Sequence, residues 1–217
     1  MSVTRLILAT CIIFLSVPQA WAQSAELPLQ VDATAAFGLT EPNQPEVSEA
    51  PPVVKPFNKG SWEVHSYFGA IVGDPVGEIY TGNIGIGFYV EDDIAVVFEG
   101  VAGGFDGEPV QGHQGGDGFV GGATLMLRHQ LIIEPNYSFY IDFGAGLLFF
   151  EEPYPASGTH ANFSPQAGAG FTLKLSDKLH LMGGARWHHV SNAFRKGDDQ
   201  NPGADAFMGY VGLLLTF

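Results

Sequence analysis

From Ser61 to Phe217 the chain alternates between apolar side chains and small or polar ones. Ile84, Ile86, Phe88 and Val90 interleave with Asn83, Gly85, Gly87 and Tyr89. Phe139, Ile141, Phe143, Ala145, Leu147 and Phe149 interleave in the same way with Tyr140, Asp142, Gly144 and Gly146. An extended chain projects successive side chains to opposite faces, so each run is a strand with one apolar face and one small or polar face. Such runs number eight, over residues 61–72, 79–91, 93–103, 117–130, 135–150, 160–175, 178–192 and 205–217.

The connections between these runs also alternate. Glu91-Asp92-Asp93, the segment near Glu134-Pro135, and Ser176-Asp177-Lys178 are short, whereas 73–78, 104–116, 151–159 and 193–204 are longer and rich in glycine, proline or acids. Short turns at one end and long loops at the other predict an all-β, eight-stranded antiparallel transmembrane β-barrel with periplasmic turns and external loops. Its apolar set faces lipid. Asp142, Glu99, Arg128, Gln166 and the glycines then fill a lumen too narrow for a wide pore. Buried charges seek partners, so Arg128 and Arg186 are expected to pair with Asp142 or Glu99 inside the barrel.

Two segments precede this barrel, which is assigned to 59–217. Arg5, the apolar stretch Leu6 to Val17 and the small-x-small site Ala20-Trp21-Ala22 describe a secretory signal peptide over 1–22. The only cysteine, Cys11, lies within it, so the rest of the chain has no disulfide and no thiol-ligated metal site. Residues 23–58 carry prolines, acids and small residues without periodicity, as in Glu41-Pro42-Asn43-Gln44-Pro45-Glu46, and read as a flexible extension. A formal net charge of -14 argues against a nucleic-acid partner, whose phosphates require lysine and arginine. The histidines are scattered without ligand spacing, and neither a metal nor a cofactor is expected.

One stretch carries chemistry. In Trp187-His188-His189-Val190-Ser191-Asn192-Ala193, His189 and Ser191 share a strand face by parity, and Asp205 shares its own face with Phe207, Val211, Leu213 and Leu215. All three are therefore expected on the outer, lipid-facing wall, with His188 and Arg186 in the lumen. If odd strands run upward from a periplasmic N-terminus, the three meet at the external rim, where polar groups on a lipid face are least costly. A histidine base, a serine and an orienting carboxylate are what nucleophilic catalysis requires.

His189-Val190-Ser191-Asn192-Ala193, followed by Asn201-Pro202-Gly203-Ala204-Asp205, resembles the C-terminal motif of the lipid A 3-O-deacylases (the PagL type). The resemblance implies an outer-membrane esterase with Ser191 as nucleophile, His189 as general base, Asp205 in place of the family's glutamate, and Asn192 supporting the oxyanion. It also implies lipid A or lipopolysaccharide of the outer leaflet as substrate. The closing run Tyr210 to Phe217 resembles the terminal strand of bacterial outer-membrane barrels, which implies insertion by their assembly machinery. A homodimer is left open. The sequence departs from the family at Asp205 and at Phe194, where glycine is frequent. Two other readings stand beside this one: an outer-membrane phospholipase A, whose family is twelve-stranded with calcium at a dimer interface, and a non-catalytic surface barrel.

Overall fold

The computed structural model describes residues 56–73, 77–110, 112–197, 201 and 203–217. The expected signal peptide and nearly all of the expected extension lie outside these residues.

Eight strands follow in chain order: β1 (Trp62–Gly73), β2 (Gly77–Glu91), β3 (Ile94–Asp106), β4 (Asp117–Ile133), β5 (Tyr137–Tyr154), β6 (Thr159–Lys174), β7 (Leu179–Val190) and β8 (Ala204–Thr216). Each pairs antiparallel with its sequence neighbour, and β8 closes on β1. The architecture is the eight-stranded barrel expected from the alternation, not a twelve-stranded one. Among the described residues no helix is long and apolar enough to cross a membrane; the strands do the crossing.

Side-chain parity follows the sequence closely. Along β1 the exposed residues alternate one by one with buried ones. The outward set includes Phe68 at 78% exposure and Ile84 at 68%, the reverse of a water-soluble barrel. Register irregularities occur at Tyr89/Glu91, Gln130/Ile132 and Phe149/Tyr154, close to strand ends, so parity holds across the barrel wall.

The lumen is polar and filled. Arg128 donates to Glu63 at 2.6 Å and to Asp142 at 3.1 Å. Arg186 donates to Glu99 and to Asp142, each at 2.9 Å. The expected pairing of both arginines with Asp142 or Glu99 is thus met, with Glu63 as an additional acid. His65 lies between Glu63 and Glu99, at 3.4 and 3.2 Å. Tyr67 donates to Glu99 at 2.9 Å, and the Arg128 guanidinium lies 4.4 Å from the centre of the Tyr140 ring. Small residues make room for this cluster; a Cβ at Gly85 would collide with the His65 ring. Phe57, assigned by sequence to the extension, is buried at the turn end of the barrel. It packs against Tyr89 and His180 with ring centres 5.7 Å away in each case.

Removing one partner of a buried ion pair leaves the other charge uncompensated, at about 3–5 kcal/mol. Glu99→Leu should therefore lower the urea midpoint of the lipid-reconstituted barrel, and adding Arg186→Met should recover much of the loss. Equal midpoints for wild type and Glu99→Leu would show that the pair contributes nothing.

Candidate active site

The site is built where β7 ends and β8 begins. Antiparallel register places His189 directly opposite Asp205, with Trp187 opposite Phe207 one step nearer the middle of the wall. Register partners have Cβ atoms about 4.5–5.5 Å apart, so even the short aspartate side chain spans the gap. The His189 Nδ1 to Asp205 Oδ1 distance is 3.0 Å. The missing methylene relative to glutamate is no obstacle to this contact.

Both residues point outward, as parity predicted. His189 is partly exposed and Asp205 is exposed, while their neighbours His188, Val190, Ala204 and Ala206 are buried in the barrel. The Trp187 ring lies alongside the imidazole, at 6.1 Å between centres and 28° between planes. Gly203 takes a left-handed φ of 59°, and a Cβ there would sit 3.5 Å from His189 Cε1. The strand neighbour and the incoming loop thus both lie close to the ring.

Ser191 shares the outward face of His189 but lies one residue past the end of β7, which was expected to run to residue 192. It is fixed by a two-way bridge to β6: Phe163 N–H donates to Ser191 O at 2.7 Å, and Ser191 N–H donates to Phe163 O at 3.0 Å. The histidine is thereby anchored on β8 and the serine on β6. The hydrogen bond that the structure makes is His189–Asp205; Ser191 is near in chain and on the same face, without a hydrogen bond to the ring.

Asn192 faces inward and is buried at 3% exposure. Its main-chain N–H donates to the side-chain oxygen of Asn201 at 2.8 Å. This tie joins the end of β7 to the far end of its own loop, a role that sequence reasoning had not given to Asn201. The signal was present in Asn201-x-Gly203, an amide acceptor beside a turn-forming glycine. Beyond Asn192 the chain turns sharply, with Ala193 and Phe194 both left-handed at φ 53° and 62°. Phe194 therefore occupies a conformation that favours glycine, the residue common there in the resembling family. Among the described residues no cluster of three histidine, cysteine or acidic side chains could hold a metal ion.

The model of the family described as lipid A 3-O-deacylase (PagL) matches residues 17–213. The chain belongs to the lipid A 3-O-deacylase family. No curated protein matches it. Among solved structures, it is similar to the outer-membrane enzyme PagL at 16% identity, over 69% of this chain and 97% of that one, with a TM-score of 0.49. It is similar to Neisserial surface protein A at 8% identity, over 72% and 96%, with a TM-score of 0.50. It also resembles the N-terminal barrel domain of Pseudomonas aeruginosa OprF at 13% identity, over 73% and 98%, with a TM-score of 0.47. The structural likeness is one of fold; the family match is what gives the fold a chemistry. The chain is accordingly an outer-membrane barrel of a lipid A deacylase family, and its eight strands set aside the twelve-stranded phospholipase reading.

Loss of the Asn201 acceptor should loosen the turn without opening the barrel. A neutral hydrogen bond contributes about 1 kcal/mol, or roughly fivefold in a local opening equilibrium. Asn201→Ala should raise amide hydrogen exchange at Asn192 by that factor while β3 and β4 stay unchanged. Unaltered exchange at Asn192 would show the tie to be incidental.

Proposed function

We propose that this chain is a serine esterase that removes the 3-O-linked acyl chain of lipid A from the outer leaflet. The observation that carries the reading is the 3.0 Å contact of His189 with Asp205 on the outer wall at the loop end, beside Ser191 on the same face. A polar constellation on a lipid-facing wall is costly near the midplane and much less so at the interface. Its placement at the rim suits a substrate whose ester lies between sugar and acyl chain. The long loops point away from the cell.

In this mechanism Asp205 holds the imidazole with its proton on Nδ1, leaving Nε2 to act as base. His189 takes the Ser191 proton as Oγ attacks the ester carbonyl. The tetrahedral intermediate collapses with cleavage of the bond to the sugar oxygen, which receives the proton from His189. Water, deprotonated by the same ring, then attacks the acyl-enzyme, and the fatty acid leaves as Ser191 is restored. In this reading main-chain N–H groups of the turn after Asn192 donate to the oxyanion. Asn192, tied through its own N–H to Asn201, supports them by fixing the start of the turn. Trp187, Phe207 and Val211 supply the apolar wall along which the acyl chain lies.

Purified barrel in detergent should release fatty acid from lipid A, and Ser191→Ala or His189→Ala should abolish release. Asp205→Asn removes the charge but keeps the shape, and should lower kcat by roughly ten-thousandfold. Asp205→Glu should retain substantial turnover. Full activity in Asp205→Asn would remove the aspartate from the mechanism, and full activity in Ser191→Ala would overturn the reading.

A further inference from the structure

The charges at the loop end of the barrel are arranged unequally. Glu78, Asp106, Glu108, Asp117, Glu151 and Glu152 are all exposed there, on β2 to β5 and their loops. The lysines and arginines of the described residues are placed elsewhere with two exceptions. Lys59 pairs with Glu91 and Lys174 with Asp177, both at 2.9 Å, and both lie at the turn end together with Lys178. Arg128 and Arg186 are consumed inside the lumen. Among the described residues, Arg195 and Lys196 are the only arginine or lysine side chains at the loop end, and neither has a carboxylate partner there.

Their position is fixed relative to the nucleophile. Arg195 N–H donates to Asn192 O at 3.3 Å, and Gly197 N–H donates to Phe194 O at 3.1 Å. The chain folds back at once after Ser191-Asn192 and carries both cations in that turn, exposed to solvent. Asp198 and Asp199 follow in sequence, outside the described residues.

We propose that Arg195 and Lys196 form the headgroup end of the site and bind a phosphate of the substrate. A guanidinium offers a planar pair of donors to phosphate oxygens and an ammonium offers a point charge, a pairing suited to a phosphomonoester. The acidic loops repel such a group from the rest of the rim, so an anionic glycolipid is accepted in the orientation that sets its phosphate over the turn and its ester at Ser191. The site therefore selects phosphorylated acyl-glycolipids over otherwise identical phosphate-free ones. This selection rests on the esterase reading above.

The test is a ratio. The kcat/KM for a phosphorylated acylated diglucosamine is divided by that for the same lipid after phosphatase treatment, both in neutral detergent. For the wild type the ratio should exceed one by about tenfold and shrink as salt is raised. It should fall towards one in R195Q/K196Q and only part of the way in R195K, which keeps the charge and loses the planar donor pair. It should also be unchanged in K59Q/K178Q, which removes the same charge at the turn end. A ratio that R195Q/K196Q leaves at the wild-type value overturns the proposal. If the wild type hydrolyses neither lipid, the esterase reading fails, and the same ratio measured as binding affinity decides the phosphate assignment by itself. Binding of inorganic phosphate as tightly as the phosphorylated lipid would assign the pair to a free anion and overturn the lipid assignment.

Discussion

A strand in hydrocarbon has no water to satisfy its backbone, so the sheet must close. In this chain closure is the pairing of β8 with β1, from Glu63 opposite Thr216 to Val72 opposite Phe207. The rest of the molecule depends on that seam. Closing it fixes the height of β8 and so gives the opposing strand β7 a definite register, in which His189 meets Asp205. A slip of one residue would turn Asp205 into the lumen and leave the imidazole without a carboxylate. The seam also approaches the site directly, since Gly73 at the top of β1 packs against the backbone of Asp205 and Ala206 with no room for a Cβ.

The lumen and the outer wall divide the polar chemistry between them. Inside, Arg128 and Arg186 are locked against Glu63, Glu99 and Asp142, with His65 between two of the acids. These charges pack the barrel and are closed to substrate. His188, although adjacent to His189, belongs to this interior. Outside, the His189–Asp205 pair stands on an apolar surface at the loop end, accessible to a lipid lying against the wall. One residue of offset separates a structural histidine from a candidate catalytic one.

Much of this was legible because period-2 alternation is a local property. The eight runs, the outward set, and the faces of His189, Ser191 and Asp205 all follow from counting along a single strand. Arg128 and Asp142 fall at opposed positions of one hairpin, and their pairing could be read. Glu63 could not, because its approach to Arg128 depends on the barrel's curvature across nonadjacent strands. The same holds for the bridge of Ser191 to Phe163 on β6 and for the tie of Asn192 to Asn201 across a loop. Phe57 was missed for a different reason: a single aromatic among prolines carries no periodicity, and only the open turn end of the barrel gives it a place.

The site is thus a rim constellation, with one residue clamped by each neighbouring strand and a cationic turn beside it. The most direct test of the central claim is mass spectrometry of lipid A from cells producing the wild type or Ser191→Ala, each confirmed folded in the outer membrane. The account predicts loss of one 3-O-linked hydroxyacyl chain with the wild type and intact lipid A with the variant. Identical lipid A in the two strains, whether intact or deacylated, would contradict it.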